Sequence, residues 1–147
     1  MKRNPIIAAL DVPTAFEAIT LAQKLQLFVG GFKIGSELFT AACPQVITAV
    51  KEFGLVFLDL KFHDIPNTTA KAVASAIRLG VGMLNVHTSG GVEMMKAAQQ
   101  SALQMSQPAR SRTAAGPRSH GAYKHGHSRT ESNWRFWNNR RASGMVG

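Results

Sequence analysis

Residues 55–68 read LVFLDLKFHDIPNT, an apolar run that passes into charged residues and then into a segment led by a proline. The run at 55–60 has the length and the branched and aromatic side chains of a strand. Pro66 is typical of the first turn of a helix. Side chains two apart in a strand point to the same side, which applies to Asp59 and Lys61. This stretch therefore predicts a buried strand that carries charged side chains at its carboxyl end and then enters a helix.

The segments on either side repeat this order of strand and helix. Short apolar runs predict strands at 6–10, 32–34 and 83–86, and helices are predicted from Thr14 to about 25 and over about 44–53, 66–79 and 92–102. Thr14 and Glu17 have the spacing of a capping box, and Gly54 and Gly80 are placed to end the second and third helices. Such alternation is typical of a parallel sheet covered by helices. We predict an α/β fold with about four βα units over residues 1–102.

Residues 103–147 differ in composition from the part before them. The formal net charge is +9, but nine Lys/Arg and seven Asp/Glu lie in residues 1–102, against eight Lys/Arg and one Asp/Glu in the remainder. No helical or strand period persists there, and Arg, Ser, Gly and Asn dominate. We therefore predict an irregular or disordered basic tail.

Three interpretations of this tail compete. Arginines for phosphates and aromatic side chains for base stacking are typical of a nucleic-acid-binding arm. A group of histidines suggests a metal tract, although its spacing matches no structural zinc pattern. The third interpretation is a segment with no evolved role. The residues concerned are Trp134, Phe136 and Trp137 for stacking, and His120, His125 and His127 for a metal.

Cysteine content and hydropathy bear on the compartment. The single Cys43 forms no internal disulfide, which fits a reducing environment. The apolar run at 6–10 is too short for a signal peptide, and no stretch approaches the ~18 apolar residues of a membrane span. We expect a cytoplasmic protein without membrane contact.

Polar residues follow or end each predicted strand: Asp11, Lys33, Asp59 with Lys61, and His87. In parallel α/β folds this carboxyl edge is where chemistry is placed. Alternating ammonium and carboxylate groups hold one another in the charged form even where water is excluded. Asp11 or His87 alone is better explained by a helix cap or an exposed ion pair than by a site, and His87 is expected to hold a loop. Together they predict a site.

Residues 59–68, DLKFHDIPNT, resemble the signature Asp-x-Lys-x-x-Asp-Ile-Pro-Asn-Thr of the orotidine 5'-phosphate decarboxylase family. Agreement continues at Ala9-Leu10-Asp11, at 31–35 (GFKIG) and at Asn85-Val86-His87. The Asp-x-Lys-x-x-Asp core is shared with keto-gulonate phosphate decarboxylases and hexulose phosphate synthases. The Ile-Pro-Asn-Thr extension distinguishes the nucleotide enzyme from them. The resemblance covers about residues 5–102.

The resemblance implies a (β/α)8 barrel, of which four βα units are half. It also implies a carboxy-lyase of de novo pyrimidine biosynthesis, which removes carbon dioxide from C6 of orotidine 5'-phosphate (OMP) to give uridine 5'-phosphate (UMP). No metal or organic cofactor is expected. Lys61 would stabilise the developing charge at C6 and supply the proton, with Asp59 beside the departing carboxylate.

The same resemblance assigns further residues. Asp11 and Lys33 would contact the ribose hydroxyls, and Lys33 also belongs to the catalytic array. Asp64 and Thr68 would reach into the site of a partner subunit, so the family works as a homodimer. Asp64 counts among the catalytic residues and Thr68 among the substrate-binding ones.

The second half of the family's sequence cannot be read in residues 103–147. Residues 123–139 can be encoded so that reading one base later gives Thr-Ser-Met-Asp-Thr-Ala-Glu-Leu-Asn-Gln-Ile-Gly-Val-Phe-Gly-Thr, which is similar to the family's next segment. Both Trp codons in this stretch are forced, and both fit. We therefore predict a frameshift near residues 102–108 and a truncated 147-residue chain that is inactive. A tail of this origin argues against both the nucleic-acid and the metal interpretation.

Two alternatives to the decarboxylase stay open from the sequence. One is a magnesium-dependent sugar-phosphate decarboxylase of the same superfamily. The other is a non-enzymatic basic RNA-binding protein, whose affinity would fall steeply with salt.

Overall fold

The computed structural model describes residues 4–106, so the predictions made for the tail lie outside it. Four strands form one parallel sheet in the order β1-β2-β3-β4. The elements in chain order are β1 (Ile7–Ala9), α1 (Ala15–Leu25), β2 (Gly31–Gly35), α2 (Ser36–Ala42), α3 (Gln45–Val50), β3 (Leu55–Phe62), α4 (Pro66–Arg78), β4 (Met83–Val86), a short 3-10 turn (Thr88–Gly90) and α5 (Gly91–Ser106).

The core lies between the sheet and the helices. Alternate residues of the two central strands, such as Phe32 and Leu58, are at most 1% exposed and pack with residues from every helix. Burying a side chain of this size is worth about 1.5–3 kcal/mol. The other face of the sheet is less buried. Ile7 of β1 is 38% exposed, and Lys33, which is half-buried, alternates along β2 with the fully buried residues. The polar side chains of the strands therefore lie on the face opposite the helices.

Most of the predicted elements are confirmed. All four strands are present, and α1 begins after Thr14, whose side chain accepts a hydrogen bond of 3.2 Å from the amide of Glu17. Pro66 begins α4, and Gly80 follows this helix with a φ of 89°. A left-handed φ favours glycine because it has no Cβ. The α/β fold of four βα units holds for the described residues.

The predicted helix at 44–53 is wrong in its bounds. Only α3, from Gln45 to Val50, lies within this range, and it is preceded by α2 (Ser36–Ala42), a helix that was not predicted. Cys43, which has a φ of 57°, separates the two helices. Gly54 does not cap a helix, since α3 ends at Val50 and Lys51 is its C-cap. The glycine is explained by space, because a Cβ at position 54 would lie 3.2 Å from the ring of Phe32.

The last helix is longer than predicted. α5 extends to Ser106 rather than to about residue 102. Met94, Ala98 and Ala102 recur every fourth residue on its buried face, and Met105 packs against the same core. This spacing continues the apolar stripe of the helix past the predicted end.

Candidate active site

The carboxyl end of β3 is irregular. β3 pairs with β4 at Phe57↔Met83 and Leu58↔Leu84, and the next pair is Phe62↔Val86. Residues 59–61 therefore lie opposite Asn85 alone. A bulge of this kind bends a strand and re-aims its side chains.

Lys61 lies within this bulge and has a φ of 50°. Left-handed backbone costs a residue with a Cβ about 1–2 kcal/mol, and such strain persists where surrounding contacts hold it. Regular strand alternation, which predicts that Asp59 and Lys61 point to the same side, therefore does not apply at this position. The two side chains nevertheless meet, because Lys61 Nζ donates a hydrogen bond of 2.7 Å to Asp59 Oδ1.

Four of the predicted residues form one chain of ion pairs. Lys33 Nζ lies 3.0 Å from Asp11 Oδ1 and 3.7 Å from Asp59 Oδ2. With the Lys61 contact, ammonium and carboxylate groups alternate from Lys61 to Asp11. The structure thus brings together residues from the carboxyl ends of three neighbouring strands.

Asp59 is the most buried member of this array. Its side chain is 14% exposed, whereas those of Lys61 and Asp11 are 60% and 65% exposed. Burial raises the pKa of Asp59, but hydrogen bonds from Lys61 and Asn85 and the charges of Lys61 and Lys33 outweigh it, so the pKa lies below its ordinary value. The carboxylate is held ionised between two ammonium groups.

Asn85 is a site residue for which the sequence suggested no role. Its side-chain amide donates to Asp59 Oδ1 at 2.6 Å, and its Oδ1 accepts from the backbone amide of Lys61 at 2.8 Å. One sequence signal was available. Asn85 is the polar residue within the otherwise apolar strand Met83–Val86.

Asp64 and Thr68 do not join this array. Within residues 4–106, no hydrogen bond or ion pair links either of them to Lys33, Asp59 or Lys61. Asp64 Oδ1 accepts from the amide of Ile65 at 2.7 Å, and Thr68 is exposed in the first turn of α4. Their predicted role in a partner's site stays a prediction.

Two histidines stack beside the irregular end of β3. The ring centroids of His63 and His87 are 5.1 Å apart, and the amide of His87 donates to the carbonyl of Phe62. His87 Nδ1 accepts from the amide of Ser89 and caps the 3-10 turn. The expectation that His87 holds a loop is confirmed.

Residues 4–106 contain no group of three or more His, Cys, Asp or Glu side chains placed to hold a metal ion. In the same part of the chain, no helix has both the length and the apolar character needed to cross a membrane.

Parallel βα units with a Lys–Asp array at their carboxyl ends are typical of the βα-barrel class of proteins. The sequence model of the Orotidine 5'-phosphate decarboxylase / HUMPS family matches residues 4–123. The chain belongs to this family, which confirms the resemblance drawn from the motif.

Curated relatives agree with this assignment. The chain is 49% identical over 107 residues to the orotidine 5'-phosphate decarboxylase of Pseudomonas fluorescens (strain SBW25), covering 72% of this chain and 46% of the relative. It is 54% identical over 99 residues to that of Trichlorobacter lovleyi, covering 67% and 41%. The chain therefore spans less than half the length of these relatives.

Solved structures give the same fold. The crystal structure of orotidine 5'-phosphate decarboxylase from Lactobacillus acidophilus has a TM-score of 0.63 and 36% identity, and covers 72% of this chain and 48% of that one. The Methanocaldococcus jannaschii orotidine 5'-monophosphate decarboxylase complexed with inhibitor BMP has a TM-score of 0.66 at 24% identity, with coverage of 71% and 49%. The described residues thus form part of a βα barrel.

Proposed function

We propose that residues 5–102 carry the catalytic half of an orotidine 5'-phosphate decarboxylase, which converts OMP to UMP and carbon dioxide in pyrimidine biosynthesis. The observation that carries the proposal is the array in which Asp59 lies between Lys61, at 2.7 Å, and Lys33, at 3.7 Å. The identity of about 50% to enzymes of that name supports the substrate.

The reaction breaks the bond between C6 and the carboxylate of OMP and leaves the electron pair on C6, in the plane of the ring. The resonance of the pyrimidine cannot spread this charge, so a fixed cation beside C6 stabilises it. The Lys61 ammonium would supply that cation and then give its proton to C6. Its side chain is 60% exposed, and within residues 4–106 its ammonium group bonds to Asp59, which leaves further N–H groups to meet a substrate.

Asp59 would lie beside the departing carboxylate and orient Lys61. Its lowered pKa keeps it negative, so it would repel the substrate carboxylate before the bond breaks. Asp11 and Lys33 lie at the far end of the array, 3.0 Å apart, where they would bind the ribose hydroxyls. The proposed reaction needs no metal or organic cofactor.

We further propose that the working form is a cytoplasmic homodimer in which Asp64 and Thr68 complete the site of the partner. Both residues are exposed, and Ile65 beside them is 66% exposed. Both side chains are therefore accessible to a second subunit, as the family resemblance requires.

The proposal is tested by OMP turnover. The protein to assay is the frame-restored protein, in which the residues beyond the predicted shift are read in the other frame. UMP should form at the same rate in excess chelator and in added magnesium. Absence of turnover would refute the proposal.

The same assay decides the alternative within the family. The family description includes HUMPS, and the core Asp59, Lys61 and Asp64 is shared with the sugar-phosphate enzymes. A protein that ignores OMP but decarboxylates a sugar phosphate only with magnesium would belong to that branch. The residues of the RNA-binding alternative lie outside the described part of the chain.

A further inference from the structure

The side chain of Asn85 bridges two groups of the candidate active site. It donates to the carboxylate of Asp59 at 2.6 Å and accepts from the backbone amide of Lys61 at 2.8 Å. The two bonds use opposite ends of one carboxamide, whose carbonyl accepts and whose amino group donates. The reverse orientation would place oxygen against oxygen and N–H against N–H, so only one orientation satisfies both neighbours.

The bond that Asn85 accepts from the Lys61 amide fixes the backbone of Lys61. The bulge at 59–61 interrupts the regular pairing of β3 with β4, and Lys61 has a left-handed φ of 50° there. A backbone amide without a regular ladder partner needs another acceptor. Asn85 provides it from the strand directly opposite, so the strained conformation is held by a neighbouring strand.

The bond that Asn85 donates to Asp59 fixes the carboxylate of Asp59. Its Oδ1 accepts from both Asn85 and Lys61 Nζ, while its Oδ2 faces Lys33 at 3.7 Å. The side-chain amino group of Asn85 therefore holds Oδ1 of Asp59 toward Lys61 and Oδ2 toward Lys33.

We propose that Asn85 is a positioning residue, which holds Lys61 and Asp59 in their reacting orientation through these two hydrogen bonds. The inference rests on the proposed function for the roles of Lys61 and Asp59. Asn85 itself is assigned no contact with substrate.

The test is NMR of the isotope-labelled 147-residue chain, which needs no turnover. One readout is the hydrogen-exchange rate of the Lys61 amide, and the other is the titration of the Asp59 carboxyl carbon. Asn85→Ala removes both hydrogen bonds, whereas Asn85→Asp keeps the acceptor for Lys61 and replaces the donor to Asp59 with a negative charge. Gln99→Glu is the matched control, because it makes the same amide-to-acid change at an exposed position of α5.

In the unmodified chain, the Lys61 amide should be protected from exchange. Asn85→Ala should speed that exchange by roughly tenfold, the effect of one lost hydrogen bond, and should raise the pKa of Asp59. Asn85→Asp should leave the exchange of Lys61 unchanged and raise the pKa of Asp59. Gln99→Glu should change neither readout, and amides elsewhere should keep their rates in all three variants.

Two results would overturn the proposal. One is an unprotected Lys61 amide in the unmodified chain. The other is a folded Asn85→Ala chain with unchanged Lys61 exchange and unchanged Asp59 titration. If Asn85→Ala loses its fold, Asn85→Asp decides, because a titration of Asp59 that stays unchanged contradicts the proposal. Failure of OMP turnover would refute the proposed function and leave these readouts intact.

Discussion

The ammonium nitrogen of Lys61 lies 2.7 Å from a carboxylate oxygen of Asp59, although the backbone between them leaves the regular strand. The contact is made across a bulge, and Asn85 binds both residues from the neighbouring strand. The pair therefore depends on the β3–β4 junction as well as on the spacing of the two residues in sequence. This placement puts an exposed ammonium beside a largely buried carboxylate.

Replacing Lys61 tests the assignment of the proton donor. In the frame-restored protein, Lys61→Ala should abolish UMP formation or reduce it by at least about 10²- to 10⁴-fold, the usual contribution of a positioned acid. Nucleotide binding should stay largely intact, because the variant removes the cation at C6 and leaves the ribose contacts. The measurement is kcat with OMP beside the affinity for UMP.

Lys24→Ala is the control for this variant, because Lys24 lies in the last turn of α1, is exposed and is no part of the array. It should keep the rate of the unmodified protein. A Lys61→Ala protein with near-full turnover would end the assignment of Lys61.

The sequence was sufficient to predict the four strands and the convergence of Asp11, Lys33 and Asp59. Strand periodicity and the parallel arrangement place such residues at one edge of the sheet, so no long-range detail was needed. The predicted contact between Lys61 and Asp59 is present. Strand periodicity does not explain it fully, because periodicity carries no information about the bulge at 59–61.

The remaining features depend on tertiary contacts. Asn85 acts through two partners on β3, 24 and 26 residues away, and no local pattern encodes that pairing. The reason for Gly54 likewise lies in its close approach to Phe32, a residue of β2. In sequence, a glycine that avoids a clash looks the same as one that ends a helix, so local pattern alone predicts a helix cap at Gly54.

The lowered pKa of Asp59 predicts loss of stability in acid. A carboxylate with a lower pKa in the folded than in the unfolded state stabilises the fold above its ordinary pKa of 3.8, and this contribution is lost as the pH falls below that value. The unmodified chain should therefore lose stability relative to Asp59→Asn as the pH is lowered toward about 3. Denaturant unfolding of both chains across this range measures the difference.

Glu17→Gln is a suitable reference for the pH series, since it removes a carboxylate that lies outside the array, at the start of α1. The difference in unfolding free energy between the unmodified chain and Asp59→Asn should change with pH. A difference that stays constant across the range would contradict the lowered pKa of Asp59.

The proposed sharing of sites between subunits predicts complementation. In the frame-restored protein, Asp64→Ala and Lys61→Ala should each be inactive alone, because each removes a residue from every site of its homodimer. A hybrid dimer would carry both changes in one site and neither in the other. Equal mixing with subunit exchange should therefore restore about a quarter of the unmodified rate.

Lys33→Ala mixed with Lys61→Ala is the control, since both residues belong to the same subunit's array. By the proposed arrangement, every site in that mixture lacks one of the two lysines, so no activity should return. Equal recovery in both mixtures, or none in either, would contradict the role of Asp64 in the partner's site.

The last prediction compares the 147-residue chain with the frame-restored protein. Residues 4–106 provide four parallel strands and the Lys–Asp array. By the family resemblance, the second half of the barrel, which cannot be read in residues 103–147, would supply the contacts to the phosphate of OMP. Binding energy from remote parts of a substrate offsets the cost of desolvation and orientation at the reacting carbon. Loss of the phosphate contacts should therefore lower kcat as well as the affinity, and the 147-residue chain should form no UMP above background. The measurement is UMP formation by both purified proteins at saturating OMP. Comparable rates would mean that the tail, or an assembly of two chains, replaces the second half of the barrel, and would overturn the functional consequence of the predicted frameshift.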